Sequence, residues 1–474
     1  MSGVVTCDIC VIGAGSGGLS VAAGASLMGA RTVLIERAHM GGDCLNFGCV
    51  PSKALLAAAK AAASPRRARA MGVALGEAGV DFPRVNDHVK AVIAAIAPHD
   101  SVERFEGLGV TVLLGAARFT GPAEVVVGER RVRARRFVIA TGSAPLVPPV
   151  PGLARTPHFT NETLFDNRVL PAHLLILGGG PIGLEMAQAH RRLGAKVTVI
   201  EMLRALARED AELAAVVIQR LRAEGVEILE ETRVEMAKLG PQGVALTLAD
   251  SKGQRHVEGS HLLVAAGRKA NVADLGLEAA GVAYTPKGVK VDAGLRSTNR
   301  RVYAVGDAAG GAQFTHLAAY HAGIVLRRAL FRLPAKADPD IVPWATYTDP
   351  ELAYVGLDEA RARERFAPIT ILRWPFADND RAQAERETDG LVKVLTTKSG
   401  RILGAGIVGA HAGELIQPWV LAVARKMKIG AIAGLVAPYP TFGEVNKRVA
   451  GSFFTPKLFS PRTRRIVRFL ARFG

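Results

Sequence analysis

Two glycine-rich turns, 165 residues apart, constrain this chain more than any other feature. The first follows an apolar run over residues 5–12 and reads Gly13-Ala14-Gly15-Ser16-Gly17-Gly18. A helical pattern runs from there to about Gly29, and a strand over Thr32–Glu36 follows. This is a βαβ opening with GxGxxG in its proper context. Gly13 permits the tight turn, Gly15 lets a pyrophosphate approach the helix N-terminus, and Gly18 allows close helix–strand packing. Glu36, at the strand end, can accept hydrogen bonds from ribose hydroxyls. The second opening has a strand over residues 173–177, then Gly178-Gly179-Gly180-Pro181-Ile182-Gly183, a helix, and a strand over Lys196–Ile200 that runs into Glu201. A lone GxGxxG is a weak signal; with the acidic strand end each becomes strong. The duplication implies two bound nucleotides. A carboxylate at Glu201 repels a 2′-phosphate and favours NADH, while Arg204 and Arg208 just behind it keep NADPH open.

Between the two turns lies GGDCLNFGCVPSK, residues 41–53. It holds Cys44 and Cys49 behind a glycine pair that includes Gly42. It leads into an alanine- and leucine-rich helical run over residues 54–63. Two thiols at i and i+5 can close a small disulfide ring, and a helix N-terminus favours the thiolate. That combination describes a redox device. The plainer alternative is two buried structural cysteines.

Only two other cysteines occur, Cys7 and Cys10, inside the first apolar strand. Their position marks them as core rather than as a zinc or thioredoxin-type pair, and no metal site is expected. So few cysteines fit a reducing, cytoplasmic location rather than a secreted disulfide framework. No signal peptide and no apolar run of membrane-spanning length is visible. The formal net charge is +17, yet zinc-finger spacing and aromatic RNA-binding strands are missing, so no nucleic-acid partner is expected.

Further along, a strand pattern ends at Ala140-Thr141-Gly142, and prolines over residues 145–151 mark a domain boundary. The second nucleotide-binding unit ends at Gly267, followed by Arg268. Residues 303–307, YAVGD, end another strand, where Asp307 can hydrogen-bond a polyol chain. A helix starting near Thr315 and His316 presents a positive end to a bound ring. Helical patterns are expected over 84–107 and 413–427, and from Asp338 the character changes to an α+β domain.

The succession GxGxxG, GGDCLNFGCVPSK, ATG, GGGPIGLE, YAVGD, YTDPELAYVG and a late PT-x-x-E resembles the flavin-dependent pyridine nucleotide–disulfide oxidoreductases over almost the whole chain. That family includes mercuric reductase and dihydrolipoamide dehydrogenase. The resemblance implies an α/β fold: two Rossmann-type dinucleotide-binding domains and a C-terminal α+β dimerisation domain. FAD would be bound by 1–145 with 271–338, NAD(P)H by 146–270, and dimerisation would fall to 339–474. FAD would lie on Gly13, Gly15, Gly18, Glu36, Gly42, Lys53, Thr141, Gly142, Asp307 and Thr315. NAD(P)H would lie on Gly178, Gly180, Gly183, Glu201 and Gly267. Cys49 would be the flavin-facing charge-transfer thiol and Cys44 the thiol that attacks substrate. Lys53 would pair with Glu185 beside the flavin, and the chain would form a homodimer whose active sites borrow C-terminal residues from the partner.

Disulfide reductases of this family begin the C-terminal motif with a histidine paired with a glutamate. Here Glu444 is in place, but the histidine position is Tyr439. A phenol of pKa about 10 is a poor general base near neutrality. His316 and His321 are the candidate substitutes. A tyrosine there resembles mercuric reductase, but no cysteine follows Cys49, so the C-terminal cysteine pair of that enzyme is missing. The expectation is therefore an FAD- and NADH-dependent, mercuric reductase-like oxidoreductase passing electrons through Cys44–Cys49 to an unassigned small molecule or ion. Its alternatives are a dihydrolipoamide dehydrogenase type without the histidine, a membrane-associated quinone reductase, and a non-catalytic NADH-sensing flavoprotein. The last 30 residues carry eight Lys or Arg and no acid. Ile466, Phe469, Leu470 and Phe473 share one helical face there, with Arg465, Arg468 and Arg472 on another. Such a helix fits peripheral contact with the inner face of an anionic membrane, or packing on the chain's own dimer.

Overall fold

The computed structural model describes residues 3–76 and 79–473. Residues 1, 2, 77 and 78 of the expected first domain, and residue 474 of the tail, lie outside the described residues. The chain divides into two compact units. One comprises the residues up to Leu203 with Val226–Asp338, the other Arg204–Gly225 with the residues from Pro339 on. Residues 204–225, inside the 146–270 segment, thus group with the C-terminal unit.

In the first unit, strand Val4–Ile12 lies between Thr32–Glu36 and Arg130–Ile139, all parallel, with Val110–Leu114 beyond Thr32–Glu36. Strand Val302–Ala304 joins the C-terminal half of Arg130–Ile139, also in parallel, while its N-terminal half pairs antiparallel with Glu124–Val127. A strand covered on both faces must be apolar throughout. Ile9, Cys10 and Val11 are accordingly fully buried, and Cys7 nearly so, as expected of core cysteines. Burial also pushes the Cys7 thiol up to about 12. Helix Ser16–Leu27 packs on helix Thr315–Ala329.

A second parallel sheet runs Glu227–Leu229, Lys196–Ile200, His173–Leu177, His261–Val264. Its register repeats that of the first: Leu174 pairs with Val197 as Ile9 pairs with Thr32. The chain passes between the sheets on two short antiparallel strands, Ser143–Pro145 and Arg268–Ala270. The proline-rich stretch begins on the first of them.

Three expected helices differ in extent. The run at 54–63 is part of a longer helix, Cys49–Ala70, which begins on the second cysteine itself. The pattern over 84–107 divides into Phe82–Ile96 and Val102–Gly107, because Ser101 caps a new helix by accepting from the Arg104 N–H. The stretch 413–427 divides into Ala412–Leu415 and Gln417–Ala424, where Pro418 starts the second helix.

The second unit is built on an antiparallel sheet ordered Trp344–Thr346, Glu351–Gly356, Ile402–Gly409, Leu391–Thr397, Ile369–Pro375. Helices Ala211–Ala223, Gln417–Ala424 and Glu444–Ser452 lie against it. Trp419 is fully buried and donates to Asn446 at 2.8 Å. Lys393, also buried, reaches Asp210 at 2.7 Å, Glu359 at 3.1 Å and Glu212 at 3.2 Å. The tail forms helix Pro461–Leu470 with no buried residue; Ile466, Phe469, Leu470 and Phe473 are about half exposed or more.

Candidate active site

The two glycine turns have the same geometry. Gly13 and Gly178 adopt φ of +104° and +118°, and a Cβ at either would strike the carbonyl oxygen of Ala140 or Ala265. A Cβ at Gly18 or Gly183 would strike the carbonyl of Gly13 or Gly178 within its own turn. At the strand ends, Glu36 accepts from Ala14 N at 2.6 Å and Ala38 N at 2.7 Å. Glu201 accepts from Gly179 N at 2.7 Å and Leu203 N at 2.8 Å. Each carboxylate is thus fixed at the edge of its own turn by two backbone N–H groups.

The cysteine segment lies directly on the first turn. Gly41 N donates to Ala14 O at 2.9 Å, and Gly42, at φ +59°, approaches Gly15 so closely that a Cβ would overlap it. Cys44 sits in the short helix Gly42–Asn46, and Cys49 is the first residue of helix Cys49–Ala70. Both are free thiols. Cys49 Sγ lies 3.4 Å from the Thr315 hydroxyl. The hydrogen bond from Cys44 lowers the Cys49 pKa to about 6; the Thr315 hydroxyl and the Lys53 charge help, against burial and the Asp43 carboxylate. Cys44 moves the other way: its bond to Cys49, burial and the Cys49 charge all raise it. The surroundings thus favour the thiolate on Cys49 and the thiol on Cys44. Lys53, one turn along the same helix, donates to the buried Glu185 at 2.8 Å. Glu185 belongs to helix Pro181–Arg192 of the second turn, so this pair ties the cysteine helix to the second nucleotide-binding unit.

A hydrogen-bonded chain that sequence reasoning missed extends from Asp307. Ser143 Oγ donates to Asp307 Oδ2 at 2.6 Å and accepts from Arg268 Nε at 2.7 Å. Arg268 also reaches Asp43 at 3.1 Å, and Asn161 donates to Asp43 at 2.9 Å. Burial raises the Asp307 pKa despite the Ser143 bond and the Arg268 charge. The one available signal was Arg268 directly after Gly267. Beside this chain, Asn271 N donates to Gly142 O at 3.0 Å, and Thr141 and Asn271 exchange two hydrogen bonds at 2.6 and 2.9 Å.

Tyr439 and Glu444 belong to the second unit. Tyr439 is 69% exposed, and its hydroxyl donates to Asp380 at 2.9 Å. That carboxylate raises the phenol above its ordinary pKa, so still less of the phenolate that a general base requires is present near neutrality. Glu444 opens helix Glu444–Ser452, with Arg448 3.9 Å away. Of the candidate substitutes, His321 is buried, accepts from Gly306 N at 3.2 Å through Nδ1, and is held down at about 4 by burial. His316 is exposed and stacks on Phe314.

The family model for pyridine nucleotide-disulphide oxidoreductases matches residues 7–322, and the model for their dimerisation domain matches 342–450. The chain belongs to the pyridine nucleotide–disulfide oxidoreductase family. Mercuric reductase of Streptomyces lividans is 35% identical over 94% of this chain and 96% of its own. Dihydrolipoyl dehydrogenase of Geobacillus stearothermophilus is 31% identical over 93% and 94%. Among solved structures, a Cu(II) complex of the HOCl-induced flavoprotein disulfide reductase RclA from Escherichia coli aligns with a TM-score of 0.84 at 28% identity. It covers 94% of this chain and 99% of that one.

Members of this pyridine nucleotide–disulfide oxidoreductase family bind FAD, and the first turn fits it. Its glycines leave the helix N-terminus open to a pyrophosphate, and Glu36 and Asp307 stand at two strand ends beside it. On the second turn, nothing lies within 4 Å of where a Cβ on Gly180 would be, so protein packing does not explain that glycine; approach of a pyrophosphate does. The match to the dimerisation domain supports a homodimer. Like its relatives, the chain is an oxidoreductase of the flavoprotein disulfide reductase class.

Proposed function

We propose that this enzyme carries an electron pair from NADH to the Cys44–Cys49 disulfide and from the resulting dithiol to a thiophilic acceptor, a soft metal ion before a small disulfide. The observation that carries this reading is the placement of Cys49 at the start of helix Cys49–Ala70, 3.4 Å from the Thr315 hydroxyl and one turn from Lys53, with Cys44 in the short helix just before it. FAD, when bound, supplies hydride acceptance from the nicotinamide and hands the pair on. Gly13, Gly15, Gly18, Gly42, Glu36, Thr141, Gly142, Asp307 and Thr315 would hold it. Gly178, Gly180, Gly183, Glu201 and Gly267 would hold the nicotinamide nucleotide, with Glu201 favouring NADH. In net terms, NADH and the disulfide give NAD⁺, the Cys49 thiolate and the Cys44 thiol. That pair then gives two electrons and one proton outward and the S–S bond re-forms. Lys53, positioned by Glu185, keeps a positive charge near the Cys49 thiolate. The Thr315 hydroxyl stabilises the same sulfur. Cys44 retains its proton until it meets the acceptor.

A soft metal ion needs thiolates rather than an imidazole base, which suits a chain with Tyr439 in the histidine position. Mercuric reductase and the Cu(II) complex of RclA are the relatives that point the same way. An anaerobic NADH titration followed by absorption tests the reading. A long-wavelength thiolate-to-flavin band after two electrons is expected, as is metal-dependent NADH oxidation that is lost on Cys44→Ser. Direct bleaching to reduced flavin, with turnover surviving Cys44→Ser, would transfer the assignment to a flavin-direct quinone reductase.

The exposed apolar face of helix Pro461–Leu470 favours a second element of the reading, peripheral contact with an anionic membrane on its cytoplasmic side. Among the described residues no helix is long and apolar enough to cross a membrane. Co-sedimentation with phosphatidylglycerol vesicles checks it: truncation before Arg462 should abolish binding, and equal binding of both forms would exclude it.

A further inference from the structure

The first unit carries a cavity of about 660 Å³ whose lining is dominated by arginine. Arg135 and Arg136 enter it from strand Arg130–Ile139. Arg296, Arg300 and Arg301 come from the loop ahead of strand Val302–Ala304. Arg328 comes from the last turn of helix Thr315–Ala329, and Arg332 from just beyond it. The side chains sit in a built site. The Arg328 guanidinium occupies the space that a Cβ at position 294 would fill, so Gly294 makes room for it.

The charge in this cavity is far from balanced. Asp292 lies 3.8 Å from Arg296 and 3.7 Å from Arg328, and Asp8 lies 3.5 Å from Arg135. Asp8 is also shared with Arg31 at 3.3 Å. Arg136, Arg300, Arg301 and Arg332 have no carboxylate within ion-pair distance among the described residues. The Nε groups of Arg136 and Arg328 are buried donors without an acceptor. Buried donors are nearly always satisfied, and each exception calls for a partner. Packing like charges together with unsatisfied donors costs stability unless an anion completes the set.

We infer that this cavity is a binding site for a small soluble polyphosphate, a chain of at least three phosphates carried either as inorganic polyphosphate or on a nucleoside. Guanidinium forks match phosphate oxygens in pairs, which ammonium groups do not. A single phosphate, at roughly two charges, cannot engage seven arginines, whereas a short chain can. A volume of about 660 Å³ suits a compact ligand rather than an extended nucleic acid. The site is separate from the nucleotide turns. Its arginines lie ahead of strand Val302–Ala304 and at the C-terminal end of helix Thr315–Ala329, while Ala140 follows the end of strand Arg130–Ile139, roughly 13 Å from Arg136 at strand spacing.

Calorimetric titration of the FAD-loaded enzyme with sodium tripolyphosphate, at fixed ionic strength, tests the inference. One saturable event per subunit is expected, at least tenfold tighter than with orthophosphate. The exposed pair Arg300→Ala with Arg332→Ala should weaken it tenfold or more and leave NADH oxidation unchanged. Arg135→Ala, also exposed, should weaken it on its own. ATP without magnesium forms the second arm. An ATP event lost in the double variant assigns a nucleoside polyphosphate, and binding of tripolyphosphate alone assigns the inorganic chain. Absence of saturable tripolyphosphate binding, binding unchanged in the double variant, or binding lost on removing the tail from Arg462 would each overturn the site.

Discussion

Lys53 donates to Glu185 at 2.8 Å, and this contact joins the two halves of the redox unit. Lys53 lies one turn from Cys49 on the same helix, and its charge favours the Cys49 thiolate. Glu185 is buried on the helix that the second glycine turn opens. One ion pair therefore holds a positive charge near the thiolate and fixes the second nucleotide unit against the cysteine helix.

Lys53→Met should raise the Cys49 pKa from about 6 toward the ordinary thiol range. The measurement is a pH titration of the long-wavelength band in the two-electron-reduced enzyme. An unmoved midpoint would mean that the hydrogen bonds from Cys44 and Thr315 suffice alone.

In the unmodified enzyme that band should be present above about pH 6 and fade as pH falls through it, because protonation removes the anion. Cys44, held above its ordinary value, should stay protonated throughout. Cys44→Ala removes the principal hydrogen-bond donor to Cys49 and should displace the fading upward.

Tyr439 is tied to Asp380, and its raised pKa keeps it protonated near neutrality, where a general base must be free to accept a proton. Tyr439→His should raise dihydrolipoamide oxidation at least tenfold, within the roughly 10²–10⁴-fold that a general base contributes. Steady-state assays with dihydrolipoamide check this. An unchanged rate would show that the site excludes the substrate for other reasons.

Glu201 is locked at its strand end by the N–H groups of Gly179 and Leu203, so its charge cannot swing away from a 2′-phosphate. Glu201→Gln should reduce the NADH-to-NADPH ratio of kcat/KM by about tenfold, roughly 1.4 kcal/mol of discrimination. A ratio that stays put would move nucleotide selectivity elsewhere, with Arg204 and Arg208 the next to substitute.

In the second unit, Lys393 neutralises a cluster formed by Asp210, Glu212 and Glu359. Lys393→Met leaves the buried Asp210 without its cation, while Glu212 and Glu359 keep Arg373 and Arg363, and should destabilise the unit by about 1–3 kcal/mol. Thermal unfolding with the variant and wild type side by side would show it as a lower midpoint.

Much of the fold was legible because its determinants are local. Strands Thr32–Glu36 and Lys196–Ile200 have the bounds that their apolar runs imply, and helix Thr315–Ala329 starts where the small residues end. Helix ends were less legible where a single polar cap or a proline decides them, as at Ser101 and Pro418. The arginines of the cavity were visible only as net charge, since they come from separate segments of the chain.

The sequence by itself determined the two nucleotide turns, the cysteine pair and the substitution of Tyr439 for a histidine, because each is written in neighbouring residues. What surrounds the two sulfurs is set by contacts far apart in the chain. Thr315 reaches Cys49 across 266 residues, Lys53 reaches Glu185 across 132, and Ser143 reaches Asp307 across 164. Hydrogen bonding, burial and charge at a site act over a few ångströms of space. Residues that distant in the chain come within reach only when the sheets bring their strand ends together.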